Sequence, residues 1–123
     1  MANPNIVNVA TITANSLSVA VSTNATQLAS NAASSNKVFK INTILIANVD
    51  GTSAADVTVN IYSAAALGGS ATAIASTISV PADASLIVTD KTTAFYLLEN
   101  QSIGALASAN NDLVATISFE EIS

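Results

Sequence analysis

Val57-Thr58-Val59-Asn60-Ile61-Tyr62 alternates β-branched apolar residues with more polar ones. A period of two puts Val57, Val59 and Ile61 on one face of an extended chain and Thr58, Asn60 and Tyr62 on the other, so the segment reads as a strand that buries one face. The same pattern recurs on both sides of it. Leu17, Val19 and Val21 alternate with Ser16, Ser18 and Ala20, and Leu113, Ala115, Ile117 and Phe119 alternate with Val114, Thr116, Ser118 and Glu120. Between such runs stand turn formers: Asp50-Gly51, Gly68-Gly69, Pro81-Ala82-Asp83, Asn100-Gln101 and Asn110-Asn111-Asp112.

This punctuation predicts strands at about 5–13, 16–22, 37–48, 56–62, 73–80, 84–90, 94–99, 102–109 and 112–121. Short, regularly spaced strands without helical periodicity predict an all-β, single-domain antiparallel β-sandwich, jelly-roll-like, of about eight or nine strands. No linker interrupts residues 1–123, and a 12.3 kDa chain can bury roughly 66% of the surface it exposes when unfolded. Two segments read otherwise. Asn24 to Asn36 is nearly all Ala, Ser, Asn and Thr around Leu28, and is expected to be a loop with at most a short strand at Leu28. Ala64-Ala65-Ala66-Leu67-Gly68-Gly69 is too short for a stable helix and is expected to be a loop insertion. In Ile41 to Val49, strict alternation places Ile41, Leu45 and Ala47 on one face and Ile44 and Ile46 on the other. A strand apolar on both faces is covered on both, by a loop, the N-terminal segment or another subunit.

Ala, Ser, Thr and Asn exceed half of the residues, while charged residues are only 9%. Such a surface of hydroxyls and amides offers little repulsion between identical copies. Net charge is −5, with three lysines and no arginine. That balance predicts no nucleic-acid partner, since phosphate neutralisation needs cations. It also predicts no membrane attachment, because anionic lipid attracts basic segments and no apolar run approaches a span. The start, Met1-Ala2-Asn3-Pro4-Asn5, has no cationic region leading into an apolar one, so no secretory signal is expected.

With no His and no Cys, the Ser-His-Asp and Cys-His arrangements and the usual zinc sites are closed. The chain is therefore expected not to be an enzyme and to hold no cofactor or metal. Ser35-Asn36-Lys37 and Asp90-Lys91-Thr92 read as strand borders and not as Ser-Lys machinery. Asp50-Gly51 with Asp56 is the best calcium candidate, but turn aspartates more commonly bond nearby backbone amides. Glu99 and Glu120 could pair only as a glycosidase dyad, without the aromatic platform that sugar binding favours. The glycosylation triplets at Asn24 and Asn100 and the glycines Gly68, Gly69 and Gly104 carry no function.

The phrases Lys40 to Tyr62, Ser79 to Val88 and Phe95 to Ile103, with the close Ser118-Phe119-Glu120-Glu121-Ile122, resemble small virion structural proteins of tailed bacteriophages, especially marine and cyanobacterial ones. The resemblance spans roughly residues 37–122 and departs from the family pattern at Glu99-Asn100, where an acidic residue followed by glycine is more usual. It implies a β-sandwich module present in many copies on the virion, assembled in the host bacterial cytoplasm. The first place it suggests is capsid decoration, and the second is the neck, tail or fibres. The implied partners are further copies of the chain, a trimer being the natural closed form, and other virion proteins such as the major capsid protein. A carbohydrate-binding sandwich is the alternative from a different class.

The residues themselves nominate one contact surface. Ile6, Val7, Val9 and Ile12 give residues 1–13 the character of an extended arm able to add a strand to a neighbour's sheet. The competing reading makes the same residues an ordinary first strand.

Overall fold

The structure, a computed structural model, describes residue 7 and residues 9–123. Among the described residues nine strands follow one another: β1 (Ile12–Val21), β2 (Thr26–Asn31), β3 (Val38–Asn48), β4 (Ala55–Ala64), β5 (Gly68–Val80), β6 (Ser85–Thr89), β7 (Phe95–Leu97), β8 (Gln101–Ala107) and β9 (Leu113–Ile122). A single 3₁₀ turn, Lys91–Thr93, separates β6 from β7. Asp90 caps it by accepting from the Thr92 amide.

All pairings are antiparallel, in two sheets. One has the order β1-β9-β3-β6, with β7 also on β3; the other has the order β2-β8-β4-β5. β6 and β7 pair with successive parts of β3, at Ile44–Ala47 and Phe39–Ile41. Taken as one interrupted edge strand, they leave eight strands whose connections cross between the sheets everywhere except the β4-β5 hairpin. This is the jelly-roll arrangement, and the expected all-β sandwich is what the chain forms.

β3 lies at the centre of its sheet and corrects the strict alternation expected of it. Its register against β9 shifts between Ile41 and Thr43, a bulge at Asn42. One extra residue reverses the side-chain parity, so Ile41, Ile44 and Ile46 all face inward and all are fully buried. Leu45 and Ala47 turn outward and are only half-buried. The apolar run thus serves one face, and the second cover inferred for it is not required.

Between the sheets, these isoleucines meet Val57, Val59, Leu97, Ile103, Leu113, Ala115 and Ile117, each fully buried. Full burial of such a side chain contributes about 1.5–3 kcal/mol. Phe39 and Phe119 stack at 5.1 Å between ring centroids. Two buried amides finish strand ends. Asn31, the last residue of β2, donates to the carbonyls of Lys37 and Leu97, at 2.9 and 3.2 Å. Asn48, the last of β3, donates to those of Ser53 and Val80, both at 2.9 Å. Each amide satisfies backbone carbonyls where the ladder stops.

Three further expectations meet the structure. The segment expected to be a loop with at most a short strand at Leu28 does hold that strand, β2, whose Leu28 and Ala29 are buried opposite β8. Gly104 on β8 is closely packed there, since a Cβ on it would sit 2.8 Å from Leu67 and 3.2 Å from the Thr26 carbonyl. The six residues from Ala64 are no insertion: β4 and β5 run on to the pair Ala64–Gly68. Ala66 and Leu67 hold left-handed φ of 56° and 59° in the turn, which hairpins demand but alanine does not signal. Hydroxyls fix that turn, with Ser30 accepting from the Ala66 amide and Ser102 from the Leu67 amide. Finally, the strands expected at 5–13 and 16–22 are replaced by β1, which starts at Ile12; Val9 to Thr11 are not strand, and Ile6 lies outside the described residues.

Candidate assembly interface

An antiparallel sandwich leaves four edges, and each unpaired edge is a template for another chain unless something blunts it. Three are blunted here. β5 carries three register shifts against β4 and a left-handed Thr77, φ 50°. β2 has six residues and a shift between Gln27 and Ala29. β6 has five residues and a shift opposite Ile44 and Leu45.

β1 differs. Its ten residues pair with β9 without a shift, from Ile12 opposite Ile122 to Val21 opposite Leu113. The sequence Ile12-Thr13-Ala14-Asn15-Ser16-Leu17-Ser18-Val19-Ala20-Val21 has no charge, no proline and no glycine. Seven of those residues are exposed. Leu17 points to the core side yet is 43% exposed, while Ile117 beside it on β9 is fully buried, so the sheet overhangs its partner at this edge. On the outer side Ser18 shares a hydrogen bond with Thr116 at 2.9 Å, and on the face of Leu17 Asn15 donates to the Glu121 carboxylate. These cross-strand contacts keep the edge straight, and no strand among the described residues pairs with its other side.

The four residues nominated as an assembly contact do not form one strand. Ile12 opens β1 and is 57% exposed, Val9 is half-buried ahead of it, and Val7 lies in a turn at 91% exposure. Ile6 falls outside the described residues. The Ala10 and Thr11 amides both donate to the Ser123 carbonyl, at 2.7 and 3.0 Å, and the Ser123 amide donates back to Thr11. The segment before β1 is thereby tied to the end of β9 up to residue 10. The edge strand that follows, which the sequence reading did not nominate as a contact, is the larger surface. Its signal was the absence of charge across Ser16 to Ala20.

The residues considered for chemistry are dispersed among structural tasks. Ser35 donates to Asn31, whereas the Lys37 ammonium pairs with Glu121 at 3.1 Å, so no Ser-Lys couple forms. The Glu99 carboxylate accepts from the Asn36 amide and that of Glu120 from the Asn42 side chain. Asp50 accepts from the amide and hydroxyl of Thr52, both at 2.9 Å, and these bonds hold its carboxyl below the usual aspartate range. The Asp56 amide instead bonds Ser108. Asp112 sits against Asp50, and its partial desolvation and the neighbouring charge push its carboxyl up. Among the described residues no group of three or more acidic side chains has the geometry of a metal site, and no helix is long and apolar enough to cross a membrane.

No protein-family model matches the chain, and no curated protein matches it. Solved structures similar to it include a chain from the work "Bacillus endospore appendages form a novel family of disulfide-linked pili", with a TM-score of 0.49 and 15% identity over 91% of this chain and 87% of that one. The present chain contains no cysteine.

Proposed function

We propose that this protein is a non-enzymatic building block of a repeated assembly that joins copies through the β1 edge. The observation that carries the reading is the single long, shift-free, uncharged edge strand in a sandwich whose other three edges are blunted. A neighbour's extended segment paired along β1 would gain a full ladder of main-chain hydrogen bonds and would cover Leu17. Jelly rolls serve viral capsids and lectins alike, so the fold does not choose between them. The phage virion is supported by the phrase-level resemblance of residues 37–122. Within it, head decoration is the first assignment and neck, tail or fibre the second, with the major capsid protein as the partner beyond further copies of the chain.

Native mass spectrometry over a concentration series tests this. The chain is expected to form discrete oligomers, and Ser16→Lys with Ser18→Lys, which puts two charges on the exposed edge, is expected to lower the association constant at least about tenfold while the melting curve stays unchanged. A folded wild-type chain that remains monomeric at every concentration refutes self-assembly.

A further inference from the structure

The charges of this chain are sorted by the ends of the sandwich. At one end lie the connections 22–25, 49–54, 81–84 and 108–112, with the start of β4. They carry Asp50, Asp56, Asp83 and Asp112 and no lysine. At the other end and on the flank beside it stand all three lysines, with Asp90, Glu99, Glu120 and Glu121. The first end therefore holds −4 and the second −1, which together give the chain's −5. β3, eleven residues long, runs between the two and sets them roughly 35 Å apart.

The acidic end is a laced surface. The Asp83 amide donates to the Asp50 carbonyl at 3.3 Å, the Val49 amide to that of Asp112 at 2.7 Å, and Ser108 and Asp56 bond each other through 2.9 Å contacts. Three loops and the start of β4 are thereby fixed together, so their carboxylates are presented with little ordering left to do. At the other end Lys37 is committed to Glu121. Lys40 and Lys91 are not in ion pairs among the described residues; they line an open groove of about 590 Å³ across β1, β9 and β3, with Asn42, Ser118 and Glu120. In a chain with only three cations, two facing one groove make it the place where a carboxylate is best received.

We propose that copies of this chain also associate head to tail, the carboxylate loops of one copy seating on the Lys40–Lys91 groove of the next. This rests on the assembly reading above and adds a second direction to it, since the β1 edge runs along the side of the sandwich. Charge complementarity names the occupant. Two acidic ends brought together set −4 against −4, whereas the groove, with Lys40 and Lys91 against the one carboxylate of Glu120, sets a local +1 against the acidic end. Such a contact uses different patches on the two copies, so it propagates into a ring or a filament.

Sedimentation velocity on the full chain tests it, using charge swaps. Lys40→Glu with Lys91→Glu makes both surfaces acidic, and Asp56→Lys with Asp112→Lys takes the carboxylate end from −4 to 0 by placing two lysines on it. Each variant alone is expected to associate at least about tenfold more weakly than wild type, the equimolar mixture to recover association, and the wild-type constant to fall about tenfold as salt rises from about 0.05 M to about 0.5 M. Circular dichroism melts establish folding; Lys40→Gln with Lys91→Gln replaces the reversal if that pair unfolds. Variants that assemble like wild type, insensitive to salt, overturn the head-to-tail contact and leave the β1 reading standing. Loss of the β1-dependent oligomers in Ser16→Lys/Ser18→Lys, with the salt-sensitive association retained, supports both contacts. A wild-type chain that is folded and monomeric throughout overturns both.

Discussion

At the scale of single residues, the pair Asp50–Asp112 makes stability depend on pH in two opposite senses. Asp50, held low by Thr52, contributes stability above the ordinary aspartate value of 3.8, and that contribution is lost as pH falls through its lowered value. Asp90, held low by Thr92 at the cap of the 3₁₀ turn, behaves the same way. Asp112, pushed up by partial desolvation and by Asp50, favours the folded state fully below 3.8, and that stability is lost as pH rises through its raised value. At neutral pH Asp112 is therefore a repulsive neighbour. Asp112→Asn keeps a donor beside Asp50 and removes the charge, so it is expected to raise the thermal midpoint at pH 7, with the gain shrinking to nothing as pH is lowered through the titration of Asp112. Melting curves at stepped pH measure this; an equal effect at pH 3 and pH 7 would show that charge is not its cause.

At the scale of elements, the strands with bulky alternation were legible and those built from small residues were not. Val57 to Tyr62 and Leu113 to Phe119 announce themselves because valine, isoleucine and leucine recur every second position; β4 and β9 are found within a few residues of where they are expected. β2 was legible only as a short strand at Leu28, because Leu28 is its one large apolar residue and the chain bulges there. The Asn42 bulge was hidden for a different reason: nothing local distinguishes Ile41-Asn42-Thr43-Ile44 from a continuous strand until β9 is laid beside it. The start of β1 was misplaced because the apolar Val7 and Val9 mimic a strand, whereas the backbone bonds of Ala10 and Thr11 are spent on Ser123. The exposed β1 edge, proposed above as a contact surface, was legible as an uncharged stretch but not as a whole edge strand. Removing residues 1–8 separates an arm from a core strand. Thermal melts of the truncated chain read the difference: an unchanged midpoint marks those residues as an arm, and a lowered one marks them as part of the fold. Native mass spectra of the same chain then report whether those residues join copies: weaker oligomers support an arm, and unchanged ones assign assembly to β1 alone.

At the scale of the whole molecule, the jelly roll closes by pairing strands from opposite ends of the chain, Ile12 with Ile122 and Val21 with Leu113. The entropy of closing so long a loop must be met before any β1–β9 contact repays it, and topologies dominated by such distant pairings fold in milliseconds to seconds. The β4-β5 hairpin needs only the turn at Ala65–Leu67, so a nucleus that includes it comes at far smaller entropic cost, and β1 should be added last. Val19, half-buried opposite Ala115, reports on that step. Val19→Ala is expected to destabilise by about 1–2 kcal/mol, with the change falling almost wholly on the unfolding rate in a stopped-flow chevron. Val59→Ala, fully buried in β4, should instead slow folding if the hairpin and its β8 neighbour form the nucleus. A Val19→Ala chain that folds slower in proportion to its lost stability would place β1 in the transition state. An edge strand that docks last also undocks first, and that makes the β1 edge the part of the sandwich most open to exchange with a neighbouring copy.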